Sequence, residues 1–407
     1  MAFITSLRIK NFFSIKDEVT IDFKASQYNI ENNPERLFEF NGEYYNKIIS
    51  FYGANASGKT TVLKAIVILS AVILDERTNE FPISFKNKFS SLSNTELEID
   101  FVLNKGSSLS KFKYKLILGA SEYENISIVN EHLFEIYNKE QECLLDREKR
   151  DVKSVDLNIS EAIFSNLNNK VSLLEEFYKF EKNRKFINIR NFFMDIILSS
   201  NVKALYSNLN TTNNDTKKIA EWLHGERDGE AQLENFFLSF FNSINIDISK
   251  VKAKFNQDEK DINKRFKGIE VFHKINQHNA LEWYLESSGT QMLMKFLLDI
   301  FLAKKLNSIL VIDELDSIIH PALVPIIINL LIENNIQIIY STHNIYNMTF
   351  LQNDEVFLIE KDENHTTTIK PVKDNPNIKG YENILISYEN GDLGGIPDVK
   401  EIITKIL

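Results

Sequence analysis

The stretch Phe51 to Val62, FYGANASGKTTV, constrains this chain more than any other. Gly53, Gly58, Lys59 and Thr60 fit G-x-x-x-x-G-K-[ST], a phosphate-binding loop. The run Lys47-Ile48-Ile49-Ser50-Phe51 before it is apolar and β-type, and Thr61 to Leu69 after it reads as a helix. Strand, glycine-rich loop and helix are what a nucleotide phosphate needs. Glycines let backbone N–H groups approach the anion, and the helix N-terminus adds a partial positive charge. In such a loop Lys59 reaches the β- and γ-phosphates and Thr60 ligates Mg²⁺.

The rest of the chain suits a folded protein of more than one lobe. It has 407 residues, 43% hydrophobic and 26% charged. A net charge of −10 argues against a surface that coats nucleic acid non-specifically. The single cysteine, Cys143, excludes an internal disulfide or a thiolate zinc cluster and fits a reducing compartment. No signal-peptide core and no apolar run of about 18 residues are present, so a cytoplasmic protein without a membrane span is expected.

Periodicity divides the chain. Phe3 to Lys10 and Val19 to Phe23 alternate as two strands, and residues 25–46 read as loop. Period two over residues 81–140 predicts antiparallel strands at Leu97–Leu103, Phe112–Leu118 and Ile126–Ile136. The turns fall at 104–108 and 118–125. From about 160 to 265 spacings of three and four predict helices, with a loop from Asn201 to Thr216 and no sustained heptad. Ile309–Ile312, Ile336–Tyr340 and Val356–Ile359 are short apolar runs, as buried parallel strands are. Helices are expected at Met292–Lys304, Pro321–Glu333 and Asp398–Leu407.

Three further motifs carry chemistry. Ile309-Leu310-Val311-Ile312-Asp313-Glu314 describes a buried strand ending in carboxylates, a Walker B pattern. Asp313 would hold Mg²⁺ and Glu314 would polarise the water that attacks the γ-phosphate. Taken alone it is as well explained as an acidic turn; the upstream phosphate loop decides otherwise. Glu286-Ser287-Ser288-Gly289-Thr290-Gln291 opens a helix and is either a second anion site or an ordinary N-cap. Ser341-Thr342-His343-Asn344 follows a strand, where His343 can hydrogen-bond a γ-phosphate oxygen.

In this order, GANASGKT, SSGTQ, ILVIDELDSIIHP and STHN resemble the head domain of ABC-type ATPases. The nearest group is the stand-alone prokaryotic AAA-15/AAA-21 proteins, related to the Rad50, SMC, RecF and OLD-nuclease heads. LRIKNFFSIKDEVTIDF and GYENILISYENGDLGGIPDV resemble that group's two ends. The resemblance implies an α/β P-loop NTPase of ABC-ATPase type: a mixed sheet, an antiparallel β-subdomain and an inserted helical lobe. Residues 1–145 and 268–407 would be the two halves of the head, and 146–267 the inserted lobe.

The resemblance also assigns roles. Gly53, Asn55, Gly58, Lys59, Thr60 and Thr61 hold the phosphates of ATP and Mg²⁺, with Thr60 and Asp313 on the metal. Glu314 is the catalytic base and His343 the switch histidine. Ser288 and Gly289 form the signature loop, which contacts ATP on a second subunit, so a homodimer closing on two ATP molecules is implied, with higher oligomers open. SSGTQ departs from LSGGQ, and His320 stands where transporter-like heads carry an aspartate. An OLD-type nuclease would need a later Asp-x-Asp; after Glu360-Lys361-Asp362 none follows, and that cluster reads as a solvated turn.

Two basic runs, Lys179 to Arg190 and Lys252 to Lys267, read as solvated helix faces before they read as a nucleic-acid groove. Three functions stay open. One is an ATPase whose pairing is a switch in anti-phage defence with a separate effector protein. The others are a DNA-binding repair ATPase, and an ATP-binding scaffold with little turnover.

Overall fold

The computed structural model describes residues 1–74, 85–104, 108–119, 127–137, 140–149, 151–155, 169–180, 184–199, 212–256, 261, 266–274, 281–282, 285–375, 384–390 and 392–393. It begins with the two expected strands, β1 (Ala2–Lys10) and β2 (Val19–Asp22). Residues 25–46 are not loop as expected. They form helix α1 (Gln27–Asn32), a 3₁₀ turn (Pro34–Arg36) and the hairpin β3 (Leu37–Phe40)–β4 (Glu43–Asn46). A signal for the hairpin was present in the chain. Asn41 and Gly42 take φ of 50° and 77°, the left-handed pair that a two-residue type I′ turn requires.

β5 (Ile48–Tyr52) delivers the glycine-rich loop, and α2 (Lys59–Ile73) leaves it. β6 (Asn94–Asn104), β7 (Leu109–Gly119) and β8 (Ser127–Tyr137) are the expected antiparallel strands, and the turns between them fall largely outside the described residues. β9 (Glu140–Glu148) and β10 (Asp151–Val155) carry the sheet past residue 145.

The expected helical region begins with α3 (Leu173–Phe180) and α4 (Arg184–Asp195). A two-residue strand follows, β11 (Ile197–Leu198), then α5 (Thr212–Gly225) and α6 (Gly229–Ser243). Residues 200–211 of the expected loop are outside the described set, and Thr212 already starts a helix. The end of this region is not helical. β12 (Ile248–Phe255) pairs antiparallel with β13 (Phe266–His273), which pairs with β14 (Leu281–Glu282). Ile248 and Val251 are buried while Lys250 and Lys252 are exposed, so lysines alternating with Val251 and Ala253 mark a strand with one wet face.

The last third holds α7 (Ser288–Leu306), β15 (Ile309–Ile312), the short α8 (Leu315–Ile318) and α9 (Val324–Glu333), which a 3₁₀ turn at Pro321–Leu323 precedes. β16 (Gln337–Ser341), β17 (Val356–Lys361), β18 (Thr367–Pro371) and α10 (Ile384–Glu389) follow. The helix expected at Asp398–Leu407 lies outside the described residues. Among the described residues no helix is long and apolar enough to cross a membrane.

Two large sheets result. Seven antiparallel strands run in the order β10-β9-β8-β7-β6-β1-β2. Six run β11-β15-β16-β5-β17-β18, parallel except for the antiparallel β17–β18 pair. α2 lies between the sheets, with Val62, Leu63, Ile66 and Leu69 buried in one core that also takes Leu97, Ile99 and Phe101 from the first sheet and Phe51, Val311 and Ile339 from the second. The other face of the second sheet, through Ile48, Leu310, Ile312 and Ile338, packs on Leu297 and Phe301 of α7, Leu331 of α9 and Phe237 of α6. Both faces of β5, β15 and β16 are therefore covered, which is why their sequences are uninterrupted apolar runs. The mixed α/β P-loop NTPase architecture expected from the sequence is the one observed.

Residues 146–267 contribute to both cores: Leu173, Phe177 and Phe193 to the first, Leu233, Phe237 and Val251 to the second. Polar ties cross the layers. Gln337 Nε2 donates to Ile4 O at 2.9 Å while its Oε1 accepts from Ile4 N at 2.7 Å, joining the two sheets. Ser172 Oγ donates to Ile73 O, at the end of α2, at 2.8 Å, and Leu173 N donates to Glu131 Oε2 at 2.9 Å.

Because Ile66 is fully buried in the core between the sheets, Ile66→Ala is expected to cost about 2–5 kcal/mol. Denaturant unfolding measures this; a loss below about 1 kcal/mol would mean that α2 is not packed from both sheets.

Candidate functional site

The parallel strands β15, β16 and β5 end side by side, and the loops that leave them meet in one cavity of about 740 Å³. Its walls include Asn55 to Thr61, Asp313, Glu314 and His343, which are far apart in sequence. The loop between β5 and α2 is shaped by its glycines. At Gly53, with φ of 150°, a Cβ would lie 2.1 Å from Ile359 O; at Gly58, with φ of 119°, it would lie 2.3 Å from Thr367 Oγ1. No side chain fits at either place. The backbone is held down from behind. Thr367 Oγ1 donates to Ser57 O at 2.7 Å and stands 2.8 Å from Ser14 Oγ, which is 3.1 Å from Thr61 Oγ1.

Lys59 Nζ donates to Gly53 O at 2.8 Å and Ala54 O at 3.0 Å, and stands 3.4 Å from His343 Nδ1. Burial pushes this ammonium below its ordinary value, while Asp313, Asp316 and Glu314 pull it back up. Thr60 Oγ1 donates to Asp313 Oδ2 at 2.9 Å. Asp313 is buried, and its Oδ1 accepts from Ser341 Oγ. Glu314 is exposed to the cavity and takes φ of 52°, a left-handed conformation. Its N–H donates to Ser341 Oγ at 2.9 Å. The exposed His343 is fixed through its backbone: its N–H donates to Asp316 Oδ1 at 3.0 Å, as does Thr342 Oγ1 at 2.6 Å.

The cavity is strongly cationic in a chain of net charge −10. Lys59, Lys64, Lys86, Lys88 and Lys361 line it against Asp313 and Glu314. Lys64 Nζ also sits 5.2 Å from the Phe13 ring centroid, and burial lowers its pKa. Thr60 and Asp313 offer two hard oxygen donors at the mouth of the phosphate loop. That set fits Mg²⁺, which keeps several waters and takes one or two protein donors plus substrate phosphates. Among the described residues no cluster of three or more His, Cys, Asp or Glu stands ready as an all-protein cage.

The sequence profile of the family described as "AAA domain, putative AbiEii toxin, Type IV TA system" matches residues 48–348. The chain belongs to this AAA-domain family. The matched region contains every element of the cavity from β5 to His343, and the AAA-domain chain extends beyond it at both ends. No curated protein matches. Among solved structures, an SMC head bound to the C-terminal winged-helix domain of ScpA shares 12% identity, covering 90% of this chain and 97% of that one at a TM-score of 0.45. The SMC head domain from Thermotoga maritima shares 15% identity over 90% and 98% of the two chains, with a TM-score of 0.45. An SMC head with an extended coiled coil, bound to the C-terminal domain of ScpA derived from Pyrococcus furiosus, shares 12% over 91% and 96%, with a TM-score of 0.47.

Ser288 and Gly289 are not in the cavity wall. They lie exposed in the first turn of α7, where the Ser287 side chain caps Thr290 N, and nothing stands within 4 Å of a Cβ built on Gly289. The loop is anchored from the side. Gln291 Nε2 donates to Glu286 O at 2.7 Å, and His273 Nε2 lies 2.8 Å from Glu286 Oε1. His320 caps Ala322 N at 3.2 Å and is not part of the cavity. Three described members of the basic runs have local partners. Arg190 Nε donates to Glu175 and its guanidinium stacks 3.9 Å from the Tyr178 ring centroid, Lys185 pairs with Glu135, and Lys254 pairs with Glu270. Lys361, of the cluster read as a solvated turn, is exposed at the end of β17 and also lines the cavity.

Ser14, Thr367 and Ser341 were not singled out by sequence. Ser341 was visible as the residue opening STHN; Ser14 and Thr367 had no signal, since their role is to support a loop from distant strands.

Two outcomes follow. Gly58→Ala should weaken binding of a fluorescent ATP analogue by roughly tenfold or more, since 1.4 kcal/mol of strain suffices for that. Unchanged affinity would show that the loop does not need the glycine. The His273–Glu286 hydrogen bond, the main cause, raises the His273 pKa above 6.5. Its stabilisation is therefore fully present below pH 6.5 and lost as pH rises through the folded-state value. Wild type should exceed His273→Gln in melting temperature at pH 6, and that margin should shrink as pH rises through the folded-state value.

Proposed function

We propose that this AAA-domain protein is an ATP hydrolase whose ATP-dependent pairing acts as a switch. The observation that carries this is the convergence of Lys59, Thr60, Asp313, Glu314 and His343 on one cationic cavity at the ends of three parallel strands. Gly53 and Gly58 let the loop backbone approach a phosphate, and the first turn of α2 points its N–H groups there. Lys59 exchanges its bonds to Gly53 O and Ala54 O for phosphate oxygens. Thr60 and Asp313 would hold Mg²⁺, which when bound supplies charge stabilisation to the phosphates. Glu314 orients the attacking water and takes its proton, and His343 hydrogen-bonds the terminal phosphate.

Ser288 and Gly289 are exposed and do not line the cavity, so their phosphate contact would be made on a second copy. A homodimer with two ATP molecules at its interface satisfies both halves of the site. Residues 146–267 would then form an inserted lobe between two halves of the head. A role in anti-phage defence with a separate effector is supported by the family description, which names a putative toxin of a type IV toxin–antitoxin system.

Glu314→Gln should bind ATP, accumulate dimers on gel filtration and lose turnover by about 100-fold or more, as removal of a positioned proton acceptor does. Turnover at the wild-type rate would sink the Glu314 assignment. Tight ATP binding with no turnover in wild type would favour the scaffold alternative.

A further inference from the structure

Strand order places β16 between β15 and β5, with Ile312 opposite Tyr340 and Ser341 opposite Phe51. The chain leaving β16 therefore emerges between the Asp313–Glu314 turn on one side and the phosphate loop on the other. Ser341 is its last strand residue and is fully buried. Its single hydroxyl serves two consecutive residues of the neighbouring turn. It donates to Asp313 Oδ1 and accepts from Glu314 N at 2.9 Å.

Each bond has a geometric consequence. With Oδ1 held by Ser341, Asp313 presents Oδ2 to Thr60 Oγ1 at 2.9 Å. With its N–H held, Glu314 keeps a φ of 52°, a left-handed conformation that side-chain-bearing residues disfavour. A second tie joins the same two segments: Asp316, two residues after Glu314, accepts from Thr342 Oγ1 and His343 N at 2.6 and 3.0 Å. The two turns are thus laced together, with Ser341 at the buried end.

We propose that Ser341 is the positioning residue of this site. Through Asp313 it aims the carboxylate at the metal position, and through the Glu314 N–H it holds that residue left-handed, so that its side chain faces the cavity. The inference rests on the ATPase reading for the purpose of the arrangement, and on the hydrogen bonds alone for the arrangement itself. Removing the hydroxyl leaves Asp313 short of a buried partner and frees Glu314 to return to right-handed backbone, swinging its carboxylate away.

The test uses the full chain with Mn²⁺ as probe, read by electron paramagnetic resonance in the presence of a non-hydrolysable ATP analogue, alongside ATP turnover. Ser341→Ala is expected to weaken Mn²⁺ binding or lower kcat by about 10–100-fold, as loss of an outer partner of a metal-ligating carboxylate does. Ser341→Thr, which keeps the hydroxyl, should restore both to within about threefold. In the Glu314→Gln background, Ser341→Ala should still weaken Mn²⁺ binding, because that loss runs through Asp313 and not through Glu314. If the alanine variant does not fold, Ser341→Cys keeps the buried volume without a strong donor and should show the same losses. Wild-type Mn²⁺ affinity together with wild-type turnover in the Ala or Cys variant overturns the proposal. A wild-type chain that does not hydrolyse ATP, yet loses Mn²⁺ affinity on Ser341→Ala, overturns the ATPase reading and leaves the Ser341–Asp313 assignment standing.

Discussion

The burial of α2 between two sheets is the constraint on which the rest depends. From Ala65 to Ile73 every residue of α2 is buried, and such a stretch is stable only where no face of it meets water. α2 meets that condition because the antiparallel sheet covers one side and the parallel sheet the other. Its first turn must then emerge at the seam between the sheets, which is where the cavity lies. The phosphate loop is thus positioned by hydrophobic packing, and polar groups such as Ser14 and Thr367 refine it.

The same layering explains the charge distribution. Carboxylates and lysines cannot enter the apolar layers without partners. They collect at the strand ends, where loops interrupt the packing, and there they hold one another. Asp313 is held by Ser341 and Thr60, Asp316 by Thr342 and the His343 N–H, and Lys59 by two carbonyls. Lys59 is accordingly a cation satisfied by weak acceptors and pushed toward neutrality by burial, which an anion would relieve.

What was legible in the sequence was whatever is contiguous. The glycine loop, the apolar strand ending in Asp313 and Glu314, and the strand ending at His343 each carry their signal in adjacent residues. Hidden features depend on partners elsewhere in the chain. Thr367 supports Gly58 only because β18 returns beside β17, and no local pattern encodes that. The β12–β13 hairpin was missed because its wet face is lysine, which masks alternation as a charged helix face does. The β3–β4 hairpin was missed although Asn41-Gly42 advertised it, because its strands are only four residues each.

The bond from Ser172 Oγ to Ile73 O gives the layered structure a mechanical property. α2 is a rod of 15 residues, about 22 Å long at 1.5 Å per residue. One end carries Lys59 and Thr60, and the other is clasped by the residue that caps α3, whose next N–H is held by Glu131 of the antiparallel sheet. A close-packed rod does not absorb an axial displacement along its length. An axial shift at the Lys59 end would therefore be passed on to the Ser172 contact and not dissipated within the helix.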